Sequence, residues 1–220
     1  MRLEGLGLGY RYRNGPWLFR DVHLSLASGE IVGLFGPSGS GKTTLGRILA
    51  GYEHPLIGSV RVDGMLYPIR GYHPVQMVFQ HPERAVNPRW RIGRILQESM
   101  LLEDSLEHHN WTATRVLDLL GIMREWLDRR PAELSGGELQ RVCIARALAP
   151  STRFLIADEM TTMLDAISQA QVWQVVLDVA RARQIGVLVI SHDRHLLNRV
   201  CDRVIEWPVG VGGLPVHETS

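Results

Sequence analysis

The feature that most narrows what this chain can fold into is the octapeptide Gly36-Pro37-Ser38-Gly39-Ser40-Gly41-Lys42-Thr43. It fits G-x-x-x-x-G-K-[ST] and lies between a short apolar run, Ile31 to Phe35, and a helical pattern through Leu45, Ile48 and Leu49. Strand, glycine-rich loop and helix in that order form a phosphate-binding loop. The glycines let backbone N–H groups turn inward around phosphate oxygens, and the new helix offers the positive end of its dipole to the same anion. Lys42 would add a mobile charge, Thr43 a hydroxyl for Mg²⁺ bridging the outer phosphates, and Thr44 a further nucleotide contact. A flexible Gly/Ser turn is the plain alternative. Against it, Lys42 is the only lysine in a chain with 24 basic residues, so a compact ammonium is used here and guanidinium groups everywhere else.

The surroundings read as α/β. Further apolar runs at Val75 to Phe79, Phe154 to Ala157 and Val187 to Ile190 alternate with helical stretches such as Ala166 to Arg183, the pattern of a parallel sheet. Val22 to Leu26 alternates like a strand, and Gly58 to Val62 followed by Asp63-Gly64 reads as a hairpin, which predicts a small N-terminal antiparallel layer. From about Pro88 to Pro131 the apolar residues Ile92, Ile95, Leu96, Val116, Leu117 and Leu120 recur at helical spacing. The expected organisation is one P-loop NTPase domain: an α/β core over 1–87 and 131–207, an inserted helical subdomain over 88–130, and a loosely ordered Gly/Pro-rich tail over 208–220.

Bulk properties remove several functions. With 24 basic against 23 acidic residues there is no basic field for nucleic acid, so no nucleic-acid partner is expected. No apolar run approaches the ~20 residues needed to cross a bilayer. The start has no apolar core of a signal peptide, and Cys143 and Cys201 lack metal-ligand spacing, so both are expected to be plain core residues in a reducing cytoplasm.

Two carboxylates, Asp158 and Glu159, close the run Phe154 to Ala157, where ligands bind in such sheets. Asp158 suits Mg²⁺, directly or through water, and Glu159 suits orienting and deprotonating an attacking water. At the end of the next run His192 can reach the γ-phosphate or that water. Ser135 and Glu138 form a capping box. Gly136 and Gly137 inside that first turn each cost up to ~1 kcal/mol relative to alanine, which makes sense if a phosphate approaches the backbone.

Leu134-Ser135-Gly136-Gly137-Glu138-Leu139-Gln140-Arg141 resembles the signature motif of ABC ATPases. The remaining family elements then appear in order along nearly the whole chain. Gln80 matches the Q-loop glutamine, implied to act in catalysis and at the metal; Thr162-Met163-Leu164-Asp165 matches the D-loop, with Asp165 near the nucleotide; His192 matches the switch histidine. Tyr12 resembles the aromatic that stacks on adenine, with Tyr10 and Trp17 as competitors. The resemblance implies head-to-tail pairing of two cassettes, each ATP lying between one phosphate-binding loop and the other subunit's Ser135 and Gly137 equivalents. Thr162-Met163 stands where the family commonly has Ser-Ala, and altered dimer contacts are expected.

The stretch from Gln80 to Leu134 is too short for the coiled-coil arms of ABC-like chromosome and repair proteins. Translation-factor relatives carry two cassettes, and small-molecule P-loop kinases would not need the Ser135-Gly136-Gly137 helix start. Met77 to Gln80 followed by Ala85-Val86-Asn87-Pro88-Arg89, and Leu164-Asp165 leading into Gln169 to Val172, look like the peptide/nickel importer group. The likeness is nearest to the shorter subunit of nickel or metal-chelate importers, since longer oligopeptide-type members carry a C-terminal extension. Peptide cargo is the main alternative, with an exporting or lipoprotein-releasing complex behind it. This implies ATP and Mg²⁺, transmembrane permease subunits, a second and paralogous ATPase subunit, an indirect extracytoplasmic binding protein, and a peripheral location on the cytoplasmic face of the membrane.

Overall fold

The computed structural model describes residues 1–66, 73–100 and 113–207. The tail expected over 208–220 lies outside the described residues. The chain forms two compact units: one from Met1–Met77, Arg153–Asp158 and the chain from Gln184 onward, the other from Val78–Thr152 and Glu159–Arg183. The helical unit thus takes in α4 (Gly136–Ala147) and α5 (Ala166–Arg183) as well as residues of the 88–130 segment.

The first unit contains two sheets. β1 (Arg2–Tyr10), β2 (Phe19–Ala27), β4 (Ile57–Val62) and β5 (Met65–Leu66) make the antiparallel layer in the order β2-β1-β4-β5. The expected hairpin is β4–β5, turning at Asp63-Gly64 with Val62 opposite Met65. β1 buries Leu3, Gly5, Leu8 and Gly9, and its register to β2 slips between Gly5 and Leu8 and again before Tyr10. Those slips let a glycine-rich strand stay paired over its whole length.

The second sheet has the order β6-β7-β8-β3-β9, from β3 (Ile31–Phe35), β6 (Val75–Val78), β7 (Phe154–Asp158), β8 (Gly186–Ser191) and β9 (Arg203–Glu206). β3 runs parallel to β8 and β9, and β7 parallel to β8. Every residue of β7 and β8 is buried, which explains why these strands read as continuous apolar runs and not as alternating ones. α1 (Lys42–Leu49) buries Leu45, Ile48 and Leu49, and α6 (Arg194–Val200) follows β8. A Cβ on Gly46 would come within 2.9 Å of Ile190 Cδ1, so α1 lies close against the sheet.

The helical unit contains α2 (Ile92–Met100), α3 (Ala113–Leu119), α4 and α5, with a 3₁₀ turn at Pro82–Arg84 ahead of α2 and two more, Arg124–Trp126 and Pro131–Glu133, between α3 and α4. Ile92, Ile95, Leu96, Val116 and Leu120 are buried as their spacing predicts, with Leu117 half-buried. Arg183, in the last turn of α5, donates to the carbonyls of Leu148 and Ala149 at 2.7 and 2.6 Å. That guanidinium satisfies carbonyls left free at the C-terminal end of α4.

Candidate functional site

The strand register brings one edge of the parallel sheet to a common level. Phe35 lies opposite Ser191 and Glu206, and Asp158 opposite Ile190, so the phosphate-binding loop, Asp158 and His192 all leave the carboxyl ends of neighbouring strands. The loop passes into α1 through Gly41, whose φ of 100° is open to glycine and not to other residues. A Cβ there would also meet Leu18 Cγ at 2.8 Å. Pro37, Ser38 and Gly39 are exposed, while Lys42 and Thr44 are buried.

Lys42 spans the loop from the inside. Its Nζ donates to the carbonyl oxygens of Gly36 and Pro37, both at 2.7 Å, and Ser40 Oγ also donates to Pro37 O at 2.7 Å. Thr43 Oγ1 lies 3.2 Å from Asp158 Oδ1, to which it donates, although the two residues are 115 positions apart. A hydroxyl and a buried carboxylate at this separation are a hard-oxygen donor pair that fits Mg²⁺.

Trp207 went unnoticed in the sequence and belongs to this site. Its indole Nε1 donates to Ser40 O at 2.7 Å, and a Cβ on Gly36 would come within 2.9 Å of Trp207 Cβ. The ring meets Phe19 edge-on at 5.5 Å. The outer wall of the loop is therefore held by a residue 167 positions away, and no local signal marked it.

The three aromatic candidates separate clearly. Trp17 has the guanidinium of Arg11 at 5.0 Å and that of Arg20 at 4.7 Å from its ring centre, so cations already contact its π-system. Tyr10 is half-buried, stacks on Phe19 and takes an edge contact from Tyr12 at 5.2 Å. Burial and the nearby Glu53 carboxylate push its phenol pKa up. Tyr12 is 55% exposed, and its hydroxyl lies 2.9 Å from Thr44 Oγ1 at the start of α1.

At the carboxyl end of β8, the strand between β7 and β3, His192 is exposed, following the buried Ser191. Asp193 accepts from the N–H groups of His195 and Leu196 and caps α6, which fixes the chain direction just after His192. Glu159 continues directly from Asp158 with φ at 49°, a left-handed conformation that costs a non-glycine residue on the order of 1 kcal/mol.

In the helical unit the capping box is as read: Ser135 Oγ accepts from Glu138 N at 3.3 Å, and Glu138 Oε2 from Ser135 N at 2.7 Å. The two glycines of its first turn differ in their surroundings. A Cβ on Gly137 would sit 3.0 Å from Leu164 Cδ2, a tight contact with the end of a flexible side chain. Gly136 is exposed, and its nearest neighbour would be Met163 Sδ at an ordinary 3.6 Å, so packing does not account for it. Asp165 is committed to capping α5, accepting from the amides of Ile167 and Ser168 at 3.0 Å each. Ser168, through its hydroxyl and its amide, holds that carboxyl below the usual range. Gln80 is exposed just after β6.

Of the two cysteines, Cys143 is buried as expected and Cys201 only partly so. Burial raises both thiols, Cys143 to about 11 and Cys201 to about 12.

Comparison with known proteins agrees with this arrangement. The profile of the ABC transporter family matches residues 19–162. The nickel import ATP-binding protein NikE of Rhodospirillum rubrum is 42% identical over 196 residues, 84% of this chain and 70% of that protein. NikE of Escherichia coli K12 is 37% identical over 218 residues, 90% of this chain and 81% of that protein. Among solved structures, the dimeric post-hydrolysis state of the ATP-binding cassette MJ0796 with ADP and Pi has a TM-score of 0.78 at 24% identity, covering 93% of both chains. The nucleotide loop, the ordered motifs and these likenesses converge on one conclusion: the chain belongs to the ABC transporter family and is its ATP-binding, ATP-hydrolysing cassette.

Proposed function

We propose that this cassette powers import of nickel, with peptide as the alternative cargo, from the cytoplasmic face of a membrane. The observation that carries the cargo reading is the 42% and 37% identity to two proteins named as nickel import subunits. Among the described residues no cluster of three or more His, Cys, Asp or Glu could hold a metal ion, and the cargo reading draws on no site in this chain. Among the same residues no helix is long and apolar enough to cross a membrane. Separate permease subunits belong to the proposed assembly on the strength of the family likeness. A second, paralogous ATPase subunit and, indirectly, an extracytoplasmic binding protein complete the proposed assembly.

The chemistry follows from the first unit. Phosphate oxygens of ATP would take the place of the Gly36 and Pro37 carbonyls on Lys42 Nζ, while the N–H groups from Gly39 to Thr44 close around them. Tyr12 is the ring assigned to adenine, because more than half of it is exposed and its hydroxyl is tied to α1. Thr43 and Asp158, with Gln80, would hold Mg²⁺, which when bound offsets charge on the outer phosphates. Glu159 takes a proton from water as its oxygen attacks the γ-phosphorus; the bond to the β-phosphate oxygen breaks, and ADP and phosphate leave. His192 hydrogen-bonds the γ-phosphate or that water. Ser135, Gly136 and Gly137 are assigned to the ATP held by the other cassette, and Asp165 to the same junction. With a paralogous partner, this chain by itself is a mostly monomeric and slow ATPase.

Uptake of radioactive nickel in cells expressing the complete transporter tests the cargo. Lys42→Ala in this subunit should abolish nickel uptake and leave oligopeptide uptake intact; the reverse pattern would establish the peptide reading.

A further inference from the structure

One side of α4 carries three hydrogen-bond donors at three-residue intervals, and their acceptors recur at the same interval. Gln140 Nε2 donates to Phe79 O at 3.1 Å, the Cys143 thiol to Pro82 O at 3.8 Å, and Arg146 Nη2 to Ala85 O at 2.8 Å. Each pair spans 61 positions, so the two segments run in step. Residues three apart share a face of an α-helix, and in a 3₁₀ turn such as Pro82–Arg84 they eclipse. A row of donors thus meets a row of carbonyls.

All three acceptors are main-chain oxygens. The fastening therefore depends on side chains of α4 and not on those of His81, Glu83 or Arg84. Burial keeps Cys143 a thiol, and hence a weak donor, at neutral pH. Gln140 is fully buried, and among the described residues its Oε1 has no hydrogen-bond partner. A bare buried amide oxygen is costly, and a methionine of similar shape would fill the position without it. What the amide accomplishes is the hold on Phe79, the neighbour of Gln80.

We propose that Gln140 is a positioning residue for Gln80: with Cys143 and Arg146 it fastens the 79–85 segment to α4, so Gln80 takes its place from the helix whose N-terminus carries Ser135, Gly136 and Gly137. This rests on the roles assigned above to Gln80 and to Ser135. Given those roles, α4 is the mechanical link by which contact with the other cassette's ATP reaches the Gln80 of this chain. Ser135 and Gln140 are one and a half turns apart on that helix, a separation of about 7.5 Å at the helical rise.

Hydrogen exchange on the full-length chain measures the fastening directly. Gln140→Met should accelerate exchange of the 79–85 amides about fivefold, the scale of one net hydrogen bond, and adding Arg146→Met should accelerate it further. Thermal stability of Gln140→Met should stay level or rise, since the bare oxygen goes with the donor. In kinetics Gln140→Met should lower kcat with KM for ATP nearly unchanged, and should have no further effect in a Gln80→Ala background. Unchanged 79–85 exchange in the double variant overturns the fastening. Accelerated exchange with kcat losses that multiply independently in Gln80→Ala overturns positioning through Gln80. If Gln80→Ala alone turns over at the wild-type rate, the role assigned to Gln80 fails, and with it the positioning role, while the exchange result still decides the fastening.

Discussion

Replacing Trp207 by phenylalanine should loosen the phosphate-binding loop without unfolding the protein. The backbone N–H of Trp207 to Phe35 O at 2.6 Å and the Cβ beside Gly36 are common to both residues, so the end of the sheet is kept. What disappears is the Nε1 donation to Ser40 O at 2.7 Å and part of the ring packed on Phe19. The hydrogen bond is worth about 1 kcal/mol net. Trimming roughly 40 Å² of buried ring adds about 1 kcal/mol at 25 cal/mol per Å². Stability should therefore fall by about 2 kcal/mol, a drop in Tm of roughly 4–8 °C for a chain of this size. Only the hydrogen-bond part acts on the loop, so ATP affinity should weaken about fivefold. Circular dichroism melts and titration calorimetry with ATP read the two quantities separately. A lower Tm with unchanged ATP affinity would show that the indole packs without holding the loop.

Gly136→Ala should have effects of opposite sign on stability and activity: up to ~1 kcal/mol more stable, since no neighbour obstructs a Cβ, yet slower in ATPase assays with the partner subunit present. Equal or faster hydrolysis would remove the phosphate explanation for that glycine. The two thiols predict a loss of stability in alkali. Their folded pKa values lie above the ordinary 9.0, so their contribution is fully present below pH 9 and is lost as pH rises toward about 11 for Cys143 and about 12 for Cys201. For Cys143 the full loss is roughly 3 kcal/mol. Denaturant melts between pH 8 and pH 10.5 should show the midpoint falling, with a shallower slope in Cys143→Ala; parallel slopes would contradict it.

The residues that could be read from sequence are those whose partners are close in sequence. Gly36 to Thr43 announced itself because the strand, the turn and the helix start are contiguous, and the Ser135 box because its two ends are three residues apart. Strands β7 and β8 were legible from their apolar runs because both faces are covered. β1 was not, since Gly5, Gly7 and Gly9 suppress strand character that only pairing with β2 and β4 supplies. Choosing among Tyr10, Tyr12 and Trp17 needed the positions of Arg11 and Arg20 on the tryptophan ring. The Thr43–Asp158 contact could be inferred from chemistry, whereas Trp207 on Ser40 and Gln140 on Phe79 could not. One faint signal existed for the last: a glutamine between Leu139 and Val142 on the inward side of a helix.

Glu159 is proposed to remove a proton from water at the nucleotide site of Lys42, Thr43 and Asp158. Single-turnover hydrolysis by Glu159→Gln, measured with the partner subunit present and alongside ATP binding to the same protein, tests it most directly. If Glu159 is the general base, ATP affinity stays within about twofold of wild type and the hydrolysis rate falls by ~10² to 10⁴, the usual contribution of such a group. Hydrolysis near the wild-type rate with normal binding would contradict it and move the proton-accepting role to His192.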